Sequence, residues 1–210
     1  ARFPIRASNR DWEDIAIDDD GHLYIGEIGN NGGRQRQVAV YRVAEPDPNI
    51  AAPDPPGRRE PLMVTATWQL RFPGDVAPFD CESLFVWKDV GYVISKRMDL
   101  GPAGLWRFSL DPQPKGWGLL EKVCDLPVNA PVGGADVSPD GKWLALVTPL
   151  GPGLLRIDTD PARAADAEPK FVSHFDLLAE GVCFTPEGVV TVAETGEITL
   201  FPTALFDSDE

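Results

Sequence analysis

The sequence has few of the residues that build disulfide frameworks or zinc sites. Its 210 residues include three cysteines, which are scattered along the chain, and no Cys-x-x-Cys pair. This excludes a disulfide-rich secreted scaffold and a zinc knuckle. Cys183 lies inside an apolar run, so we predict that it is a small buried core residue.

Long apolar runs and basic residues are also scarce. No run approaches the length of a membrane span, and no signal peptide is visible from Ala1 onwards, although a mature secreted chain would look the same after cleavage. The 19 basic residues against 33 acidic ones give a net charge of −14, which repels nucleic acid and anionic membranes. We therefore expect no nucleic-acid partner and no membrane span.

Histidines and helix signals are equally sparse. His22 falls in a turn and His174 in an outer strand, with no visible partner, so neither is expected to bind metal or to act in catalysis. The segment 160–169 has a proline near each end, which limits it to a short helical turn.

Four copies of one strand plan fill most of the chain. Each copy has a short apolar strand, a turn with glycine, a second apolar strand and then a third. The copies begin EDIAIDDDGHLYIGEIG, ESLFVWKDVGYVISKR, GGADVSPDGKWLALVT and EGVCFTPEGVVTVAE. Such repeats predict an all-β fold, a β-propeller of four recognisable four-stranded blades.

The copies align on their turn glycines, at Gly21, Gly91, Gly141 and Gly188. Equivalent positions at the start of the first strand are then spaced 69, 51 and 47 residues apart, near the length of one blade. These positions are Glu13, Glu82, Gly133 and Glu180.

The remaining segments complete a single domain, 1–210. Outer strands are available in LMVTATWQLRF, GLLEKVCDL and PKFVSHFDL, and the N-terminal ARFPIRAS would supply the one that the last blade lacks. This pairing would close the ring and remove exposed edges. The proline-rich stretch 44–61 predicts a surface loop inserted into the first blade.

The repeat predicts that several acids converge. Equivalent inner strands surround the central channel, so Glu13, Glu82 and Glu180 should meet at one end of it. Like carboxylates repel one another unless a cation or a proton intervenes. With Asp14 beside them, they are candidate ligands of a divalent metal, calcium in the first instance, because calcium accepts several oxygen ligands in flexible geometry.

A second set lies at the far end of the second strand. Glu27, Lys96 and Glu194 fall near one offset after the turn glycine, and antiparallel pairing brings them beside the first set. An acidic cluster with one cationic member suits hydrolysis of an ester, lactone or phosphoester, so these are candidate catalytic residues.

A structural alternative stands beside this prediction. Acids at strand starts can accept hydrogen bonds from the amides of a neighbouring blade and so hold the blades together. Lys96 and Arg97 are more often members of salt bridges than catalytic bases. The protein would then be a non-catalytic propeller that binds a ligand or another protein.

The quoted motifs resemble a group of bacterial, often exported β-propellers. That pattern has Asp-Trp-Glu-Asp-Ile-Ala followed by Gly-Asp-Ile-Gly-Asn, an acid-Glu-Ser-Leu strand, a Gly-Ala-Asp-x-Ser-Pro-Asp-Gly segment and a closing Glu-Gly-Ile strand. The matching residues here are 11–16 with 26–30, 81–84 with Ser95 and Lys96, 134–141, and 180–182 with Glu194.

This resemblance, and a more distant one to phytase-like, esterase-like and gluconolactonase-type propellers, implies a propeller fold and a glutamate that helps to bind a divalent metal. Because proteins of this group are often exported, we expect an extracellular or periplasmic location, with a cytoplasmic one as the alternative, and a small-molecule ligand or substrate. Cys81 stands where an acid is usual, and Glu27 replaces an aspartate. The family pattern also has a blade upstream of the first motif, so the four blades either form the ring or belong to a five- or six-bladed parent.

Overall fold

The computed structural model describes residues 2–47, 49, 60–111 and 116–207. These residues form four small, mainly antiparallel sheets arranged as the blades of a β-propeller, which confirms the predicted fold. The predicted proline-rich loop, 44–61, lies for the most part outside the described residues. No helix among the described residues is long and apolar enough to cross a membrane.

Blade 1 contains β1 to β4 and blade 2 contains β5, β6, β7 and β9. Short β8 pairs in parallel with β4 and adds a fifth strand to blade 1. The strands are β1 (Trp12–Ile17), β2 (His22–Glu27), β3 (Gln37–Ala44), β4 (Ala66–Arg71), β5 (Cys81–Trp87), β6 (Val90–Ser95), β7 (Gly104–Ser109), β8 (Gly118–Leu119) and β9 (Glu121–Asp125).

Blade 3 contains β10 to β13, and among the described residues blade 4 contains three strands, β14 to β16. Two 3-10 helices, Pro161–Asp166 and Thr203–Phe206, are the helical segments of the described chain, and the first lies inside the predicted short turn. The strands are β10 (Gly134–Val137), β11 (Trp143–Thr148), β12 (Gly151–Arg156), β13 (Lys170–Phe171), β14 (Ala179–Thr185), β15 (Gly188–Ala193) and β16 (Ile198–Pro202).

The N-terminal segment does not complete blade 4, so the predicted closure of the ring is wrong. Ile5 instead forms a parallel bridge with Leu62, just before β4 of blade 1. Arg6 donates its backbone N–H to the carbonyl of Leu62 at 3.3 Å, and Leu62 donates to the carbonyl of Pro4 at 2.8 Å. These bonds give the segment a partner at the outer side of the first blade.

Apolar cores fill the junctions between consecutive blades. Trp68 of blade 1 belongs to the same buried cluster as Val93 of blade 2, and Leu105 of blade 2 belongs to the cluster of Leu144 in blade 3. A smaller cluster joins blades 3 and 4 around Phe201. These clusters provide the buried apolar area that holds the sheets together.

The junction between blade 4 and blade 1 is an open cleft instead of a core. The cleft has a volume of about 570 Å³ and is lined by residues of β1, β2, β14 and β15, together with Ile5 and Glu194. On the blade 1 side of the cleft, Ile15 is 56% exposed. Cys183 is exposed on its blade 4 side, so the prediction that it is a buried core residue is wrong.

The turns differ in where they place the glycine. Gly21 and Gly141 have φ values of 76° and 67°, as the predicted turns require. In blade 2 the turn residue with positive φ is Lys88, at 57°. Gly91 lies inside β6, where a Cβ atom would collide with the ring of Phe108, so its alignment with the turn glycines is wrong.

Candidate functional site

The aligned glutamates of the repeat lie at irregularities in strand pairing. The register of the inner hairpin shifts between Trp12 and Ile15 in blade 1, between Cys81 and Ser83 in blade 2, and between Ala179 and Gly181 in blade 4. A β-bulge re-aims the side chain of its extra residue. Three blades therefore share a local backbone feature that turns a glutamate out of the regular alternation.

Blade 3 has no such bulge and no glutamate at this position. Gly134 pairs regularly with Val147, and the preceding Gly133 donates its N–H to the carbonyl of Val147 at 3.0 Å. A Cβ atom on Gly134 would lie 2.5 Å from the carbonyl oxygen of Glu180 in blade 4. The close approach of the two backbones explains why glycine occupies this part of blade 3.

Glu82 and Lys96 form an ion pair at this end of the channel. Glu82 is buried, and the half-buried Lys96 donates from Nζ to its carboxylate. The Lys96 backbone N–H donates to the carbonyl of Asp80 at 2.9 Å, which fixes the chain just after β6. Burial raises the pKa of Glu82; Lys96 lowers it, and Asp80 and Glu180 raise it further.

Glu13 is the most strongly perturbed acid of this group. Burial and the nearby carboxylates of Glu82 and Asp11 raise its pKa to about 8. The Glu13 side chain is hydrogen-bonded to that of Asp11, and with a pKa of about 8 Glu13 carries a proton at neutral pH. A Cβ atom on Gly29 would collide with both side chains, so glycine there leaves room for the pair.

Glu180 and Glu194 lie beside Glu13 along the cleft between blades 1 and 4. Burial and the charge of Glu194 raise the pKa of Glu180, while Lys96 lowers it. Glu194 is exposed, and its backbone N–H donates to the carbonyl of Leu178 at 2.8 Å. We call Glu13, Glu82, Lys96 and Glu180 together the channel mouth.

Asp14, a predicted metal ligand, has its carboxylate occupied by backbone amides. It accepts hydrogen bonds from the N–H groups of Ile15 at 2.8 Å, Leu84 at 2.7 Å and Ala135 at 3.4 Å. Burial raises its pKa to about 8, although these amides act in the opposite direction. Asp14 thus connects the inner strands of blades 1, 2 and 3.

Asp136 repeats this arrangement one junction further along. Its carboxylate accepts from the N–H groups of Val137 and Phe184, both at 2.9 Å, and so connects blades 3 and 4. Burial raises the pKa of Asp136 to about 6. Asp136 lies inside the repeat segment 134–141, but the alternation of that segment does not show which amides face its side chain.

Glu27, a predicted catalytic residue, is also buried, and its carboxylate is hydrogen-bonded to the backbone. Its Oε1 accepts from the backbone N–H groups of Arg10 at 3.1 Å and Asp11 at 3.0 Å. The Arg10 guanidinium lies 3.5 Å from the same oxygen. Glu27 therefore holds the chain that leads into β1, and with it the position of Asp11.

A different acidic group has the spacing of a metal site. Among the described residues, Asp18, Asp20 and His22 are the group of three or more ligand side chains whose atoms all lie within 4.8 Å of one another. The predicted ligands Glu13, Asp14, Glu82 and Glu180 are not drawn together to that distance. The sequence signal was the DDDGH turn, which we interpreted as a hairpin turn.

Asp18 already has partners within its own hairpin. Its carboxylate accepts from the phenol of Tyr24 at 2.9 Å and from the backbone N–H groups of His22 at 2.8 Å and Asp20 at 3.0 Å. It also lies 3.0 Å from Nδ1 of His22. Burial opposes ionisation, but these hydrogen bonds outweigh it and lower the pKa of Asp18. The turn therefore has a structural explanation that does not require a cation.

Comparison with known proteins supports the fold alone. No protein-family profile matches the sequence, and no curated protein matches it. A chain of the nidogen/laminin complex superposes with a TM-score of 0.52 at 10% identity, over 95% of this chain and 78% of that one. At this identity the likeness shows a shared propeller architecture.

Two weaker likenesses accompany it. The computationally designed Ika4 protein gives a TM-score of 0.46 at 11% identity, over 95% of this chain and 96% of that one. A putative oxidoreductase (glucose dehydrogenase) from Thermus thermophilus gives 0.48 at 16% identity, and the match covers 94% of this chain and 63% of that one. The protein is thus a four-bladed β-propeller that these comparisons do not assign to a family.

Proposed function

We propose that the channel mouth binds a divalent cation, calcium in the first instance, and hydrolyses a small ester, lactone or phosphoester. The observation that carries this proposal is the recurrence of a bulged glutamate in three blades, with Lys96 as the cation beside them. Glutamates from separate strands give an ion several oxygen ligands without a dedicated loop. A distant structural likeness to a propeller described as a putative oxidoreductase adds no residue roles.

Each residue of the mouth has a distinct role in this proposal. Glu13 and Glu180 bind the ion, and Glu82 holds Lys96 toward the substrate while contributing an oxygen. Their long side chains bring the oxygens together on binding, and waters complete the coordination that calcium requires. Lys96 stabilises negative charge on the substrate, and the exposed Glu194 acts as the acid or base.

The protonation of Glu13 makes the binding of the cation depend on pH. Because the pKa of Glu13 is about 8 without a cation, this carboxyl carries a proton at neutral pH. An ion must displace that proton, so calcium should bind more tightly at pH 9 than at pH 6.5. A carboxyl group that titrates near neutrality also suits general acid–base chemistry.

Thermal unfolding with calcium or with a chelator tests the cation. We expect calcium to raise the midpoint at pH 9, and Glu13→Gln and Glu180→Gln to abolish the increase. Asp18→Asn is the matched control, because it alters the other acidic group and leaves the mouth intact. An increase that is lost only in Asp18→Asn would assign the cation to the hairpin turn and refute the proposal.

Hydrolysis then needs its own assay. A panel of lactones, aryl esters and phosphoesters should show calcium-dependent turnover that Lys96→Met removes while the folded state is retained. Calcium binding at the mouth without turnover of any class would leave a cation-binding propeller and refute the hydrolase.

A non-catalytic binding propeller is the second candidate. It is favoured by the partners that the buried acids already possess: backbone amides for Asp14 and Glu27, and Lys96 for Glu82. In that case the carboxylates hold the blades together, and the mouth recognises a ligand without reacting with it. The absence of a calcium effect on both thermal midpoint and turnover would select this candidate.

A further inference from the structure

Among the described residues, no fourth strand pairs with the outer edge of β16, in contrast to the third strands of the other blades. The third strands of blades 1, 2 and 3 each pair with a fourth strand: β3 with β4, β7 with β9, and β12 with β13. In the part of the chain that the structure describes, β16 pairs only with β15. An unpaired edge presents a row of N–H and C=O groups to which another strand can bind.

The side chains of β16 give this edge one open apolar face. Ile198 is 70% exposed and Leu200 is 46% exposed. Both side chains lie on the face of the sheet that is turned toward the cleft between blades 1 and 4. The other face is closed, because Phe201 is buried and its ring centre lies 5.2 Å from that of His174. An added strand would therefore bury apolar side chains beside Ile198 and Leu200.

Acidic residues dominate the charge around this edge. The residues from Phe175 to Asp207 include six acidic side chains and no lysine or arginine, and Lys170 lies 2.8 Å from one of these acids, Asp207. The exposed Glu197 directly precedes β16, and the exposed Glu187 lies at its other end, since the adjacent Gly188 pairs with Pro202. Positive charges at both ends of an incoming strand would meet these carboxylates.

We propose that β16 is a docking edge for an extended basic segment of a partner protein, which pairs with it as the fourth strand of blade 4. The segment has apolar side chains at alternate positions and lysine or arginine at both ends. Strand addition of this kind takes its affinity from main-chain hydrogen bonds and its specificity from alternate side chains. A second copy of this chain is a poorer occupant, because it brings the same acids to the edge.

A synthetic peptide is the probe. Fluorescently labelled Lys-Lys-Val-Thr-Val-Thr-Val-Lys-Lys should bind the full chain at low salt, with affinity that falls by about tenfold or more between about 50 and 500 mM salt. The same peptide with methylated backbone nitrogens at alternate residues should lose binding, because it cannot complete the ladder. A version with glutamate in place of lysine should not bind.

Two variants locate the peptide on the protein. Leu200→Lys should weaken binding by about tenfold or more, since it places a charge on the apolar face of the edge. Ile17→Lys is the matched control, because Ile17 is 49% exposed on blade 1, away from β16, and its replacement should leave binding unchanged. Bound peptide should also slow hydrogen exchange at the amides of β16.

Several results would overturn the proposal. They are no binding at low salt, equal binding of the methylated peptide, or equal losses in both variants. Protection of β16 that appears with protein concentration alone, together with a dimer in light scattering, would identify a second copy as the occupant instead. The peptide measurements on the unmodified chain decide the question even where a variant fails to fold.

Discussion

The acids between the blades and the acids of the channel mouth differ in what neutralises them. Asp14 and Asp136 accept hydrogen bonds from backbone amides of neighbouring blades. Glu13 has a carboxyl group, Asp11, as its hydrogen-bond partner, and Glu82 has a lysine. The first group is committed to the fold, whereas the second can exchange a proton or a lysine for a ligand. Adjacent residues, Asp14 and Glu13, fall on opposite sides of this division.

Replacing Asp14 should have the largest effect on stability. Asp14→Ala leaves three backbone N–H groups without their acceptor, and we expect the free energy of unfolding to fall by about 3 kcal/mol. Denaturant unfolding at pH 7 measures this change. Glu13→Ala, the matched control, removes no amide acceptor and should cost less than about 1 kcal/mol. Equal losses in the two variants would erase the distinction.

Replacing Lys96 of the channel mouth should have the second-largest effect on stability. Lys96→Met leaves the buried Glu82 carboxylate without its partner, so we expect a loss of about 2 kcal/mol at pH 7. Unfolding at pH 5 should show a smaller loss, because Glu82 can then take up a proton. A loss that is the same at both pH values would mean that the lysine acts through packing.

The pH dependence of stability follows from the raised pKa values. The pKa values of Glu13 and Asp14 are about 8 and that of Asp136 is about 6, against ordinary values near 4. The folded chain therefore holds protons that the unfolded chain releases, so its stability falls as pH rises from about 5 to 9. Thermal midpoints across this range should decrease steadily without calcium, and a rising midpoint would contradict these assignments.

Glu13→Gln should have the smallest effect of the series. The amide cannot ionise, so the variant should flatten the upper part of this pH dependence and raise the midpoint at pH 9 by about 2 °C. At pH 5, where Glu13 is already neutral, the variant and the original should unfold together. Glu27→Gln is the matched control. Because the Glu27 carboxylate accepts hydrogen bonds from backbone amides, this variant should gain no stability at pH 9.

The sequence predicted the blades well because their signals are local. Alternating apolar residues and turn residues identified the inner hairpins, such as β10 with β11, almost to their ends. The exposure of Cys183 was not predictable from the sequence. A run of apolar residues indicates an apolar face of the sheet, but it does not indicate whether another blade covers that face. The pairing of Ile5 with Leu62 depends on a long-range contact that no local pattern encodes.

The candidate site was predictable only as a set of positions. Repeat alignment selected Glu13, Glu82 and Glu180 correctly as equivalent residues, and the structure gives the reason as a shared bulge. The alignment could not separate Glu13 from Asp14, since a bulge interrupts the alternation that assigns side chains to faces. Asp11 and Asp80 were missed, although each stands two residues before one of the aligned glutamates.

The open cleft between blade 4 and blade 1 also bears on how the chain unfolds. Without a core there, the blades form a row with two ends, so each end can open without disturbing the other. Asp14 gives blade 1 hydrogen bonds to two other blades, whereas blade 4 is held by one apolar junction and has three strands within the described residues. Fraying should therefore begin at blade 4, and the amides of β14 to β16 should exchange with solvent before those of β5 and β6.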